Sequence, residues 1–262
     1  MTLPLFDTHA HLNLTPFDGI IPDVVARAQQ AGVVAINVVG IDASTSRRAC
    51  ELAAEYPGYL FATVGIQPNS AAEAAAGDFD LIAAMVGQPG VIAIGETGLD
   101  CYWDDTPLPR QHDYFDRHIE LAHASGLPMV IHMRDSGDLI VEQLRRHPSL
   151  PAGIMHSFTG DRALAEQCLD LGLHLSFAGM VTFKKSDALR EVAAIVPDDK
   201  LLIETDAPYL SPEPLRGKRP NEPARVAHTL RCLADLRGVA PQRLAAITTE
   251  NAQRLFGLPS SG

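Results

Sequence analysis

The chain has 262 residues, 46% of them hydrophobic, and its 21 Lys and Arg against 32 Asp and Glu give a net charge of −11. That length and apolar content fit one large domain with a sizeable core, and no apolar run approaches the roughly 18 residues that a membrane-spanning helix needs. A protein that holds nucleic acid mainly by charge is expected to be basic, so binding a polyanion here requires locally clustered cations or metal ions.

Short β-branched runs alternate with alanine-rich stretches of helical period along the chain, which predicts βα units and a parallel sheet. Eight strands are predicted, at 3–9, 33–40, 60–65, 91–96, 128–132, 153–158, 173–179 and 201–206. Eight such units in about 250 residues favour a single α/β domain over 1–262, a TIM (β/α)8 barrel. The alternative is an open doubly wound sheet, but the first βα turn carries no GxGxxG and the chain has no P-loop lysine motif.

The spacing of the cysteines and the composition of the N-terminal segment indicate the cellular compartment. The four cysteines are far apart and form no CxxC pair, which argues against a thiolate zinc site or a disulfide scaffold and suits a reducing cytosol. The first residues have neither the basic region nor the long apolar region of a signal peptide. We therefore expect a cytoplasmic protein without a membrane partner.

Residues capable of chemistry recur where the predicted strands end. His9 and His11 point the same way, because residues i and i+2 of a strand share a face. The carboxyl ends of barrel strands converge on one mouth, so the residues at these ends are expected to lie together. Besides the two histidines, the set comprises Glu96, His132, His156 and Asp206.

Each of these residues has an ordinary alternative as a core histidine, a cap or a turn residue. Their joint placement predicts a metal site, since carboxylates buried together without a cation would repel and lose hydration. Imidazole and carboxylate suit Zn²⁺, Mn²⁺ or Fe²⁺, with Mg²⁺ possible at the oxygen-rich end. Six ligands are better used by two ions about 3.5–4 Å apart than by one. The remaining histidines are interpreted as structural or solvated: His112, His118, His123, His147, His174 and His228.

Nine segments also resemble, in order along the chain, the TatD family of metal-dependent deoxyribonucleases, within the amidohydrolase-like metal hydrolases. They are DTHAHL (7–12), VGIQPN (64–69), AIGETGLD (93–100), RQHDYFDRHIELA (110–122), PMVIHMRD (128–135), MHSFTG (155–160), LIETDAPYL (202–210), RGKRPNEP (216–223) and ENAQRLF (250–256).

The resemblance implies that His9 and His11 bind one metal ion, with Asp206 nearby. His132 and His156 would bind a second ion, and Glu96 would bridge the two. Glu204 looks like an acidic residue that the family uses in or behind the site, and support of a ligand from behind is an equally good interpretation. Two divalent ions per chain are expected, and Zn, Mg and Mn all stay open.

The resemblance also supplies a substrate and a reaction. DNA would be trimmed from 3′ ends or single strands to 5′-mononucleotides by a metal-activated hydroxide, formed when Asp206 takes a proton from water. The spacing alone allows any hydrolysable phosphate, amide or lactone. Two further functions stay open: a D-aminoacyl-tRNA deacylase or other small-substrate hydrolase on the same site, with tRNA or RNA as partner, and a metal-holding scaffold. The complete ligand set argues against the scaffold. A monomer is favoured.

Several residues near the mouth are candidates for holding the substrate. Arg134 follows His132 by two residues and can hold a phosphate with two hydrogen bonds. The segment after strand eight supplies local positive charge from Arg216, Lys218, Arg219 and Arg225. Gln67 and Asn69 follow strand three. Aromatic candidates for base stacking are Phe158, Tyr102, Trp103 and Tyr209.

The chain departs from the family pattern at two positions. Pro220 interrupts the Arg-to-Asn step of RGKRPNEP, which predicts a longer loop. Cys101 stands where many members have an aromatic residue, which puts local substrate packing in doubt but leaves the metal site intact.

Overall fold

The computed structural model describes residues 3–259, so residues 1–2 and 260–262 of the predicted domain lie outside it. Eight strands form one sheet in chain order, and every adjacent pair is parallel. The strands are β1 (Leu5–Ala10), β2 (Val33–Val39), β3 (Leu60–Val64), β4 (Val91–Asp100), β5 (Met129–Arg134), β6 (Gly153–Met155), β7 (His174–Phe177) and β8 (Leu201–Ile203).

Helices alternate with the strands and cover the outside of the sheet. They are α1 (Ile21–Gln30), α2 (Ala43–Glu55), α3 (Asp78–Met85), α4 (Leu108–Ser125), α5 (Gly137–Arg145), α6 (Arg162–Asp170), α7 (Asp187–Ile195), α8 (Val226–Arg237) and α9 (Pro241–Leu255). No helix within residues 3–259 is both long enough and apolar enough to cross a membrane.

The first and last strands approach each other and nearly close the barrel. The backbone N–H of Asp206 donates to the carbonyl of His9 at 2.9 Å, and the N–H of His11 donates to the carbonyl of Ala207 at 2.7 Å. These bonds confirm the TIM-like barrel predicted from the eightfold rhythm. They also bring the HxH motif at the end of β1 beside the segment that follows β8.

The barrel interior is filled at the amino ends of the strands. Phe6 of β1 packs against Phe256, just after α9, with ring centroids 5.7 Å apart, in an apolar cluster that includes side chains of β2, β4, β5, β6 and β8. A larger apolar cluster lies between the sheet and the outer helices. With the amino end packed, the polar residues collect at the carboxyl ends of the strands, where barrel active sites lie.

Three predicted strand ends differ from the observed ones by three or more residues. β4 continues to Asp100, four residues beyond the predicted end, whereas β6 and β8 each end three residues early. His156 and Asp206 therefore lie on the segments that follow β6 and β8 rather than on the strands. Asp206 and Ser157 have positive φ angles of 54° and 45°, so the chain turns sharply at both places.

Candidate metal centre

Glu96 lies at the centre of the mouth and faces a different pair of histidines with each carboxylate oxygen. Its Oε1 is 2.8 Å from His132 Nδ1 and 3.1 Å from His156 Nε2. Its Oε2 is 3.4 Å from His9 Nε2 and 3.5 Å from His11 Nε2. One carboxylate thus joins two imidazole pairs.

Asp206 adds a second carboxylate on the side of the HxH motif. Its Oδ1 is 3.5 Å from His11 Nε2 and 3.7 Å from His9 Nε2, and the two Nε2 atoms are 3.1 Å apart. The donor atoms of His9, His11 and Asp206 lie within 4.8 Å of one another, as do those of His9, Glu96 and His156. Both groups are compact enough to surround a metal ion.

In three of the histidines, the ring nitrogen that points away from Glu96 has its own hydrogen-bond partner. His11 Nδ1 donates to the carbonyl of Val39 at 2.9 Å, and His132 Nε2 donates to Asp100 at 3.0 Å. His156 Nδ1 lies 3.3 Å from Glu204 Oε1. In a neutral imidazole this leaves the inner nitrogen with its lone pair turned towards Glu96.

Lone pairs and carboxylate oxygens that face one another repel unless positive charge lies between them. Glu96 Oε2 is buried without a hydrogen-bond partner, a costly state for a carboxylate oxygen. In the protein alone, burial opposes a charge on His156, yet the carboxylates of Glu96 and Glu204 raise its pKa well above the ordinary value. The centre therefore needs positive charge, which a protonated imidazole or a metal ion can supply, and its donor set fits a divalent metal ion.

Both central carboxylates are ionised at neutral pH. Burial opposes the charge on Glu96, but the charge of His156 and hydrogen bonds from His132 and His156 hold its pKa well below the usual range. Burial likewise opposes the charge on Asp206, and the hydrogen bond from His11 is the largest effect that lowers its pKa. Anionic carboxylates are the form that binds a metal ion.

Comparison with known proteins identifies the fold family. A sequence model of the family described as TatD related DNase matches residues 6–257. The chain belongs to this family. It is 42% identical to the uncharacterized metal-dependent hydrolase YabD of Bacillus subtilis, over 96% of this chain and 98% of that protein.

Other relatives cover the chain to a similar extent. It is 36% identical to the 3′-5′ ssDNA/RNA exonuclease TatD of Erwinia billingiae, over 98% of this chain and 100% of that protein. The crystal structure of YJJV, a TatD homologue from Escherichia coli K12, matches with a TM-score of 0.92 at 31% identity, covering 99% of this chain and 100% of that one. The TatD-family resemblance predicted from the motifs is confirmed. The protein that carries this centre belongs to a family of metal-dependent hydrolases.

In this TatD-family member, Glu204 lies behind His156. Its Oε1 accepts a hydrogen bond from the backbone N–H of Ser157 at 2.7 Å as well as contacting His156 Nδ1. Of the two interpretations that the sequence left open, the geometry favours support of His156 from behind.

Asp100 is a residue that the sequence analysis did not single out. Its Oδ2 accepts hydrogen bonds from His132 Nε2 and from Asn69 Nδ2, both at 3.0 Å. Burial opposes its charge, but these bonds lower its pKa to about 2. The available signal was the final Asp of GETGLD, which a strand extended past Glu96 would have placed beside β5.

The candidate substrate-binding residues have different surroundings. Gln67 Nε2 is 3.5 Å from Glu96 Oε1, so this side chain lies at the centre itself. Arg134 is exposed at the end of β5. Phe158, in contrast, is 1% exposed and packs edge-on against Phe177, so the expectation that it stacks on a base is wrong.

The loop after β8 carries Arg216, Lys218 and Arg219 on the surface, as expected. Arg225 instead holds this loop together, because its guanidinium donates to Ser211 Oγ and to the carbonyl of Lys218, each at 3.0 Å.

The neighbouring loop after β7 adds positive charge that the sequence analysis missed. The guanidinium of Arg216 lies 4.2 Å from the ring centre of Phe183, and exposed Lys184 and Lys185 follow directly. The backbone N–H of Glu213 donates to Thr182 Oγ1 at 2.8 Å, which ties the two loops together. We call Lys184, Lys185, Arg216, Lys218 and Arg219 the basic loops.

All four cysteines are free thiols. Cys101 is exposed beside the mouth, but partial burial and the nearby carboxylates of Asp100 and Asp135 raise its pKa. This thiol is therefore less reactive than an ordinary cysteine, because only the thiolate is a good nucleophile.

Proposed function

We propose that this TatD-family hydrolase is a metal-dependent 3′-5′ exonuclease that cleaves single-stranded DNA and releases 5′-mononucleotides. The observation that carries the proposal is Glu96, whose two oxygens face two separate imidazole pairs at 2.8–3.5 Å. Paired ions bridged by one carboxylate are typical of enzymes that transfer phosphoryl groups. Relatives from Erwinia billingiae and Citrobacter rodentium are named as exonucleases of single-stranded DNA and RNA, which supports the same substrate class here.

His9, His11 and Asp206 would hold one ion, His132 and His156 would hold the other, and Glu96 would contact both. Bound there, divalent ions supply Lewis-acid activation of water and offset the charge that grows on the phosphoryl oxygens.

Asp206 is assigned as the proton acceptor. Its side chain is 14% exposed, whereas that of Glu96 is 2% exposed, so Asp206 is the central carboxylate with better access to water. Its lowered pKa keeps it unprotonated at neutral pH. Gln67 can orient the substrate by donating a hydrogen bond from its amide, and Arg134 can pair with a phosphate from the rim.

The first experiment is degradation of a 3′-overhang DNA by the purified protein with Mg²⁺, Mn²⁺ or Zn²⁺, against an EDTA control. We expect metal-dependent release of 5′-mononucleotides that falls to the EDTA level in Glu96→Ala. Glu73→Ala, which removes an exposed carboxylate outside the centre, should match the wild type.

Retained activity in Glu96→Ala would contradict the assigned centre. Hydrolysis of D-aminoacyl-tRNA without any hydrolysis of DNA or RNA would contradict the exonuclease and favour the deacylase.

A further inference from the structure

Two adjacent aromatic side chains just after the end of β4 are exposed to solvent. Tyr102 and Trp103 are each 53% exposed, and their rings meet edge to face with centroids 4.8 Å apart. Trp103 is the single tryptophan of the chain. Aromatic rings that are exposed side by side offer a contiguous apolar surface of the kind that binds a ligand or partner.

Asp100 fixes this aromatic pair to the metal centre. Its Oδ1 accepts hydrogen bonds from the backbone N–H groups of Tyr102 at 2.9 Å and Trp103 at 3.0 Å. Its Oδ2 accepts from the candidate ligand His132 at 3.0 Å. One carboxylate therefore sets the position of both aromatic residues relative to the reacting centre.

A cation accompanies the aromatic pair. The guanidinium of Arg134 lies 4.4 Å from the ring centre of Tyr102, and the N–H of Cys101 donates to the carbonyl of Arg134 at 2.8 Å. Aromatic faces beside a guanidinium offer both parts that a nucleotide needs, a stacking surface for the base and a donor for the phosphate.

We infer that Tyr102 and Trp103 form a stacking subsite for an unpaired nucleobase next to the phosphodiester that is cleaved. This inference rests on the proposed exonuclease function and specifies its substrate. Bases inside a duplex are covered on both faces by their neighbours, so only a single-stranded or frayed end can stack on the pair. The subsite therefore selects single-stranded ends and tolerates any base, because every base has a π face.

The test uses the metal-loaded protein and a single-stranded six-nucleotide DNA with phosphorothioate linkages, which resists hydrolysis. Because Trp103 is the only tryptophan, its fluorescence reports the subsite directly, and we expect quenching by this oligomer but not by a blunt duplex. We expect Trp103→Ala to bind a 5′-labelled oligomer about 10-fold more weakly, the loss that corresponds to one base stacked on one ring. Trp103→Phe should bind nearly as well as the wild type.

Leu81→Ala is the matched control, because Leu81 is also a large exposed apolar side chain but lies on α3. It should bind and hydrolyse DNA like the wild type. On hydrolysable DNA, Trp103→Ala should raise KM on single strands and leave the hydrolysis of a strand with abasic 3′-terminal residues unchanged.

The outcomes separate this inference from the proposed function. Hydrolysis of DNA with unaltered oligomer affinity in Trp103→Ala, or without any change in tryptophan fluorescence, would overturn the subsite and leave the exonuclease standing. Equal quenching by the blunt duplex would overturn the requirement for an unpaired base. Failure to bind or hydrolyse any nucleic acid with any of the three metals would overturn both.

Discussion

Asp100 makes contacts on both sides of its carboxylate, with the candidate ligand His132 on one side and the backbone of Tyr102 and Trp103 on the other. The residues that face the centre directly were predictable, because each lies at or near the end of a predicted strand and each has the chemistry of a metal ligand. Asp100 was not, because its contact with His132 depends on the pairing of β4 with β5, in which Gly98 pairs with His132 and Asp100 with Arg134. A sequence pattern predicts which residues of one strand share a face, but it does not predict which residue of the neighbouring strand lies opposite each of them.

Replacing Asp100 by Asn tests its part in holding His132. The amide cannot carry the negative charge that orients the imidazole, so we expect the affinity for Mn²⁺ or Zn²⁺ to fall about 10- to 100-fold. Calorimetric titration of the metal-free protein measures this change. Asp105→Asn removes an exposed carboxylate from the loop that follows β4 and should bind metal like the wild type. Equal affinities in the two variants would show that Asp100 has no influence on the ligand.

The end of β4 shows how the sequence alone can give a wrong strand boundary. The strand was predicted to end at Glu96, inside the sequence GETGLD, which contains the two glycines Gly95 and Gly98. In the structure Gly95 and Gly98 have φ angles of 146° and 128° and continue the strand. A Cβ atom at position 98 would lie 2.2 Å from the carbonyl oxygen of His132. These glycines are there for close approach of β5 and not for a turn.

Gly98→Ala is therefore expected to disturb the fold and the centre together. The added methyl group meets backbone on β5 and the positive φ is unfavourable for alanine, so the free energy of unfolding should fall by about 3 kcal/mol or more. Metal affinity should fall as well, because His132 must move. Chemical denaturation and metal titration measure the two effects. Gly87→Ala, at a position with open space and no positive φ, should leave both unchanged.

For the molecule as a whole, the barrel was predictable because its signal is repeated eight times along the chain, and errors at single strand ends do not disturb it. The charge distribution was predictable only in part. A net charge of −11 indicated that any polyanion must meet local positive charge, and the loop after β8 supplied candidates from sequence. Lys184 and Lys185 were not predicted as part of this positive surface, because they follow β7 and not β8. Their loop lies beside the loop after β8 because Phe183 packs against Arg216.

The basic loops give binding of a single strand a defined salt dependence. Each phosphate neutralised by a cation contributes about −0.7 to the slope of log affinity against log salt for single-stranded nucleic acid. Replacing Lys184 and Lys185 by Gln should thus make the slope less steep by about 1.4, measured with the phosphorothioate oligomer between about 50 and 200 mM salt.

The matched control for this change is the double variant Arg145→Gln, Arg146→Gln. It alters the net charge by the same amount at the carboxyl end of α5, where the helix has returned to the end of the barrel away from the mouth. Its slope should equal that of the wild type, because only cations that contact phosphates displace counterions. If both double variants change the slope equally, the dependence reflects the net charge of the molecule, and the basic loops do not bind the strand.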